Sequence, residues 1–173
     1  MYRRILVPID GSDTASRGLA EAIELAKGQK AALRLLHVVD QAALVQYPEA
    51  TLYGADLPRA LEKRGQEILA EAEAVVRKHG LKVDTVFHRR LGRAADVIIQ
   101  QAKKWPADII VLGTHGRRGV DRLVMGSDAE LVVRATPVPV LLIRSKTSPR
   151  RVERRKPPNP PRGKRSAGRP KRD

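Results

Sequence analysis

The chain of 173 residues is long enough for one domain with a proper core, and its 42% hydrophobic content is almost wholly aliphatic, since aromatics make up only 3%. Cysteine is absent, which excludes disulfides, thiolate catalysis and cysteine metal centres. The net charge of +15 is unevenly placed: residues 145–173 hold twelve of the 34 Lys/Arg and two of the 19 Asp/Glu, a net of +10 against +5 for residues 1–144.

The apolar run "RRILVPID" predicts a buried strand that stops at Pro8-Ile9-Asp10, with Gly11 and Ser12 as the turn and Ser12 or Asp13 as cap of the following helix. Ala15, Leu19, Ala22, Ile23 and Ala26 recur at the spacing of one buried helical face, and Gly28 is the expected end of that helix. A second strand is expected over 31–40. A looser segment with Pro48 and Gly54 spans 41–55, and Tyr47 and Tyr53 within it could cover a ligand or anchor the loop. A long helix from Leu57 to His79 follows, with Leu61, Ile68, Leu69, Ala72, Val75 and Val76 on one side. "LKVDTVFH" (81–88) alternates as a strand, and "RAADVIIQQAKK" (93–104) reads as a helix stopped before Trp105-Pro106. Strand 107–113, helix 127–135 and strand 138–143 complete the set.

The resulting βαβαβαβαβ order, with strands apolar throughout, predicts an α/β, doubly wound, Rossmann-like domain over residues 1–144. Its ligand crevice is expected at the carboxyl ends of the strands, where strand order reverses. The turns at that edge carry Pro8 to Ser12, Val38-Val39-Asp40 and the stretch "GTHGRRGVDRLVMGSDAE". Residues 145–173, rich in Pro, Arg, Lys and Gly, are expected to be disordered. The apolar part of "MYRRILVPID" is too short for a signal-peptide core. The longest apolar run, 137–143, falls far below the roughly 20 residues that span a bilayer. These features predict a soluble, cytoplasmic protein without membrane association.

Neither GxxxxGK[ST] nor GxGxxG occurs in the chain. What occurs is Gly113-x2-Gly116-x9-Gly126-Ser127. Two early glycines let a backbone turn sharply and approach a ligand with no Cβ in the way. Gly126-Ser127 opens a helix whose first N–H groups suit an anionic oxygen, and the Ser127 hydroxyl can donate to the same group. Arg117, Arg118 and Arg122 add positive potential. The plainer alternative is that the glycines shape a turn and Ser127 caps a helix.

Together, "ILVPIDGS", "LLHVVD" and "GTHGRRGVDRLVMGSDAE" resemble the universal stress protein family over about residues 2–144, the G-x2-G-x9-G-[S/T] motif matching at every fixed position. The resemblance implies a five-stranded parallel sheet of order 3-2-1-4-5 and binding of ATP, with or without Mg²⁺. It places adenine near Pro8, Asp10 and Val38, and ribose and phosphates along Gly113, Gly116, Gly126, Ser127 and the amides of Asp128 and Ala129; Thr114 and His115 fall within the same cradle. It also implies a homodimer through the last strand, 138–143, an uncovered hydrophobic edge. Asp128 departs from the small or apolar residue common at that position. Its carboxylate favours a helix N-terminus but repels a triphosphate unless it faces solvent or Mg²⁺ bridges.

The four histidines lack metal-ligand spacing, His37 reads as a hydrogen-bonded structural residue, and Trp105 as a packing residue. No catalytic constellation is evident, so the expected activity is stress signalling with at most slow ATP hydrolysis. Two other readings stay open. One is a nucleic-acid-associated dimer acting through its basic tail, where Gly168-Arg169-Pro170 resembles an AT-hook core with Ala167 in place of an arginine, or where loose polyanion binding suffices. The other is a nucleotide-free protein of the same fold, its pocket disabled by Asp128.

Overall fold

The computed structural model describes residues 1–40, 56–90, 92–114 and 125–144. The elements are β1 (Arg4–Pro8), α1 (Asp13–Gln29), β2 (Ala32–Asp40), α2 (Asp56–Lys78), β3 (Val83–Arg90), α3 (Ala94–Lys104), β4 (Ile109–Gly113), α4 (Ser127–Ala135) and β5 (Val140–Ile143). All strand pairs are parallel, and the sheet order is β3-β2-β1-β4-β5, as the family resemblance implies.

The apolar strands have two buried faces because alternate residues enter two cores. Ile5 and Val7 of β1, Leu33 and Leu35 of β2, and Ile109 and Val111 of β4 meet α1 and α2 on one side. Leu6, Leu36, Ile110 and Leu112 meet α3 and α4 on the other. α2 lies unusually low on the sheet. A Cβ on Gly65 would stand 2.6 Å from Cε2 of Phe87 and 2.8 Å from Cδ2 of His37, so no larger residue fits there without displacing an aromatic ring. Trp105 closes the second core, and the Arg34 guanidinium lies 4.6 Å over its ring while also binding Asp84.

Several boundaries differ from the sequence expectation. α1 runs past Gly28 and ends at Lys30, which adopts the left-handed conformation at φ 52°. Its N–H and that of Ala31 both donate to Ala26 O, so the chain reverses only where Ala31 must enter the core. β3 is shifted two residues towards the carboxyl end, because its partner β2 offers main-chain pairing as far as Asp40. That pairing keeps Val38 inside β2, opposite His88, as the strand expected over 31–40 has it. β4 and β5 start two residues later than expected, at Ile109 and Val140. The segments 41–55 and 145–173 lie outside the described residues, as do Tyr47, Tyr53 and the Gly168-Arg169-Pro170 sequence. Among the described residues no helix is long and apolar enough to cross a membrane.

At the opposite end of the sheet from the crevice, one carboxylate oxygen of Asp108 accepts the N–H groups of Arg3 (2.7 Å) and Arg4 (2.8 Å), tying β1 to the start of β4. The Arg3 N–H, the Arg4 N–H and nearby positive charge hold this carboxyl below the usual carboxylate range. A depressed folded-state pKa means that the stabilisation is complete above the ordinary value and is lost as pH falls through the folded one. Asp108→Asn should therefore cost about 1 kcal/mol at neutral pH, a charge-assisted bond discounted for partial exposure. The difference from the unsubstituted protein should shrink on acidification below the ordinary carboxylate value in urea unfolding followed by circular dichroism.

Candidate functional site

The first wall of the crevice is the β1–α1 turn. Pro8 ends β1, and Asp10 Oδ1 accepts the Ser12 N–H at 2.9 Å, so the carboxylate folds back over its own turn while Gly11 takes φ 81°. Ser12, not Asp13, caps α1: its hydroxyl accepts the Ala15 N–H at 3.2 Å and lies 3.1 Å from that of Thr14. Below the turn, buried His37 donates from Nδ1 to Ile9 O at 2.6 Å, while the Ile9 N–H donates to Leu36 O at 2.8 Å. His37 also stacks on Phe87, which together with the bond to Ile9 makes it the structural histidine expected from the sequence. Asp10 is thereby held at the carboxyl end of the central strand.

The second wall comes from β4. Gly113 ends this strand, and the buried Thr114 donates its N–H to Ile143 O at 2.8 Å and accepts the Gly126 N–H at 2.9 Å. Both ends of the glycine-rich stretch therefore meet through main chain alone, bringing Gly113-Thr114 beside Gly126-Ser127. A Cβ on Gly113 would stand 2.9 Å from Oγ1 and 3.1 Å from the carbonyl carbon of Thr14, so α1 rests directly on the end of β4. Thr14 has no signature that would mark it in the sequence as part of this contact. His115 and Gly116 lie outside the described residues, as do Arg117, Arg118 and Arg122.

α4 begins with Gly126 as N-cap, and no side chain caps it. Its first internal bond is Glu130 N–H to Gly126 O at 3.0 Å, and among the described residues no acceptor meets the N–H groups of Ser127, Asp128 or Ala129. Ser127 does not cap the helix; it is the first helical residue and is exposed. An uncapped helix start directs unsatisfied donors and the positive end of the helix dipole at one place, which suits an anionic group.

Asp128 does not return to its own helix. Its Oδ1 accepts the Ala95 N–H at 3.2 Å, capping α3, whose own cap residue Arg93 supplies no side-chain acceptor. The carboxylate is thus held between the N-termini of two helices, and the residue stays exposed. Val38 is half-buried in β2, two residues beyond the Pro8–Leu36 register pair, and Ala129 is buried beneath α4. Among the described residues no group of three His, Asp or Glu could hold a metal ion.

A family model described as "Universal stress protein family" matches residues 1–144. The chain is 33% identical over 144 residues to the universal stress protein MJ0531 of Methanocaldococcus jannaschii, covering 83% of each chain. It is 37% identical over 147 residues to a universal stress protein of Thermus aquaticus, covering 83% of this chain and all of that one. Among solved structures, protein MJ0577 superposes with a TM-score of 0.76 at 25% identity, covering 86% of this chain and 99% of that one. A universal stress protein from Archaeoglobus fulgidus in complex with dAMP gives a TM-score of 0.62 at 25% identity, covering 82% and 98% of the respective chains.

The contact between Gly113 and Thr14 makes a specific prediction. Gly113→Ala should lower stability by about 1–3 kcal/mol through overpacking. Adding Thr14→Ala should restore only part of the loss, because the Thr14 backbone is nearly as close as its hydroxyl. Equilibrium urea unfolding of the single and double variants measures both effects.

Proposed function

The chain belongs to the universal stress protein family, and from that premise we propose that it binds ATP or a related adenine nucleotide and acts as a cytoplasmic stress-signalling protein. Adenine lies near Pro8, Asp10 and Val38, with the phosphates on the main chain of Gly113 to Gly116 and of Gly126 to Ala129. The observation that carries this reading is the uncapped start of α4, closed against Thr114 at the point where strand order reverses between β1 and β4. Asp10 is suited to accept from an exocyclic amine or a sugar hydroxyl, and the α4 amides to donate to phosphate oxygens. The dAMP complex of the Archaeoglobus fulgidus relative supports the same class of ligand. Mg²⁺ would be held chiefly by the phosphates, since the described side chains form no metal-binding cluster. No activated nucleophile or base stands among the described residues of the crevice, and on this reading the output is a ligand-dependent surface for partners with at most slow ATP hydrolysis.

Titration calorimetry on purified protein freed of nucleotide tests the assignment. ATP or AMP should bind at one site per chain, and Gly126→Val should abolish binding while near-native circular dichroism is retained, because a branched side chain would occupy the phosphate path. Equal affinity in the two proteins would remove the loop from the site.

We further propose a homodimer through residues 138–143. β5 pairs with β4 on one side only, and its Leu141 is 38% exposed. An apolar strand with free main-chain groups pairs with another strand unless it is blocked, and Pro139 limits the register in which it can do so. Light scattering should give twice the 19.1 kDa chain mass at micromolar concentration, and Leu141→Glu should give the monomer. A monomeric unsubstituted protein would refute the dimer.

A further inference from the structure

We propose that Asp128 is a specificity determinant that makes the site discriminate among nucleotides by phosphate charge, favouring a monophosphate over a metal-free triphosphate; this rests on the nucleotide-binding assignment above. An acidic residue in the first turn of a helix ordinarily complements its own dipole or rotates into solvent. Asp128 is exposed, yet its Oδ1 is anchored on the Ala95 N–H of α3 rather than turned freely into water. That bond holds a full negative charge beside the N–H groups of Ser127, Asp128 and Ala129, the same donors that a phosphate would use. Helix geometry puts the carboxylate within about 7 Å of a group bound there.

Nothing among the described residues neutralises it. Among the described residues no Lys or Arg lies within ion-pair distance of Asp128. Arg90, at the end of β3, is directed at Asp96 (3.7 Å), and Arg134 of α4 at Glu130 (3.5 Å). Arg93, beside the bond to Ala95, makes no ion pair among the described residues. The carboxylate sits at the starts of both α3 and α4, where a phosphate brought to α4 would also have to sit. Each additional phosphate charge brought to the α4 start is opposed by this fixed anion. A divalent cation on a triphosphate lowers the opposition by reducing the ligand's net charge.

The competing account is that Asp128 is only a cap for α3. The two accounts differ in what Asp128→Asn does. Asparagine keeps an oxygen for the Ala95 N–H but removes the charge, whereas Asp128→Ala removes both. Calorimetry of the full-length protein with AMP and with ATP, each with and without Mg²⁺, separates them. The unsubstituted protein should bind AMP more tightly than metal-free ATP. Asp128→Asn should raise metal-free ATP affinity roughly tenfold more than AMP affinity, the size expected for one partly screened charge at this range. Mg²⁺ should improve ATP binding more in the unsubstituted protein than in Asp128→Asn. Thermal unfolding provides the second readout, with Asp128→Ala less stable than Asp128→Asn through loss of the α3 cap. An unchanged ATP-to-AMP affinity ratio in Asp128→Asn would overturn the proposal while leaving nucleotide binding intact. If the unsubstituted protein bound neither nucleotide at millimolar concentration, both this proposal and the assignment on which it rests would fall.

Discussion

Burial of both faces of β1 is the constraint from which the rest of the architecture follows. Ile5, Leu6 and Val7 have no exposed surface, and successive residues point to opposite sides, so neither side of the strand can face water. Helices must cover both faces, and right-handed crossovers then carry β2 and β3 to one side of β1 and β4 and β5 to the other. The strand order reverses beside β1 for that reason. A gap opens there because the chains leaving β1 and β4 depart over different faces of the sheet.

What fills the rim of that gap is mostly backbone. Ile9 is held through its carbonyl by His37 and through its N–H by Leu36, and Thr114 is held between Ile143 and Gly126. Main-chain groups already fixed in this way, by main chain or by a buried ring, would need little reorganisation to receive a ligand. The close approach of Thr14 to Gly113 serves the same end, because α1 braces the last residue of β4. Side chains enter the site chiefly as charges, Asp10 on one wall and Asp128 on the other.

The sequence was informative wherever a pattern is local. Period-3.6 spacing located α1, α2 and α3 to within about two residues. Unbroken apolar runs indicated a parallel sheet, and glycine spacing pointed to the loop that joins β4 to α4. The errors arose where a distant partner decides the outcome. Gly28 has the composition of a helix end, yet the core contact of Ala31 moves the end to Lys30, a residue that bears the strain of a positive φ. Asp128 was recognisable as an anomaly, but its partner Ala95 lies 33 positions away and contributes a backbone N–H, which carries no residue-type signal. Gly65 illustrates the same limit, since its meaning depends on two rings from β2 and β3.

The position of β1 bears on how the chain is made. The first strand synthesised is the middle strand of the finished sheet, and its two neighbours arrive at very different times. β2 follows at once, but β4 is not complete until Gly113 has been translated, 73 residues after Asp40. At bacterial or eukaryotic elongation rates of 5–20 residues per second, that interval is roughly 4–15 s. Throughout it, the β4-facing edge of β1 lacks the partner it has in the finished sheet. Ile5, Leu6 and Val7 therefore gain their full burial only late in synthesis, when Asp108 becomes available to bind the N–H groups of Arg3 and Arg4.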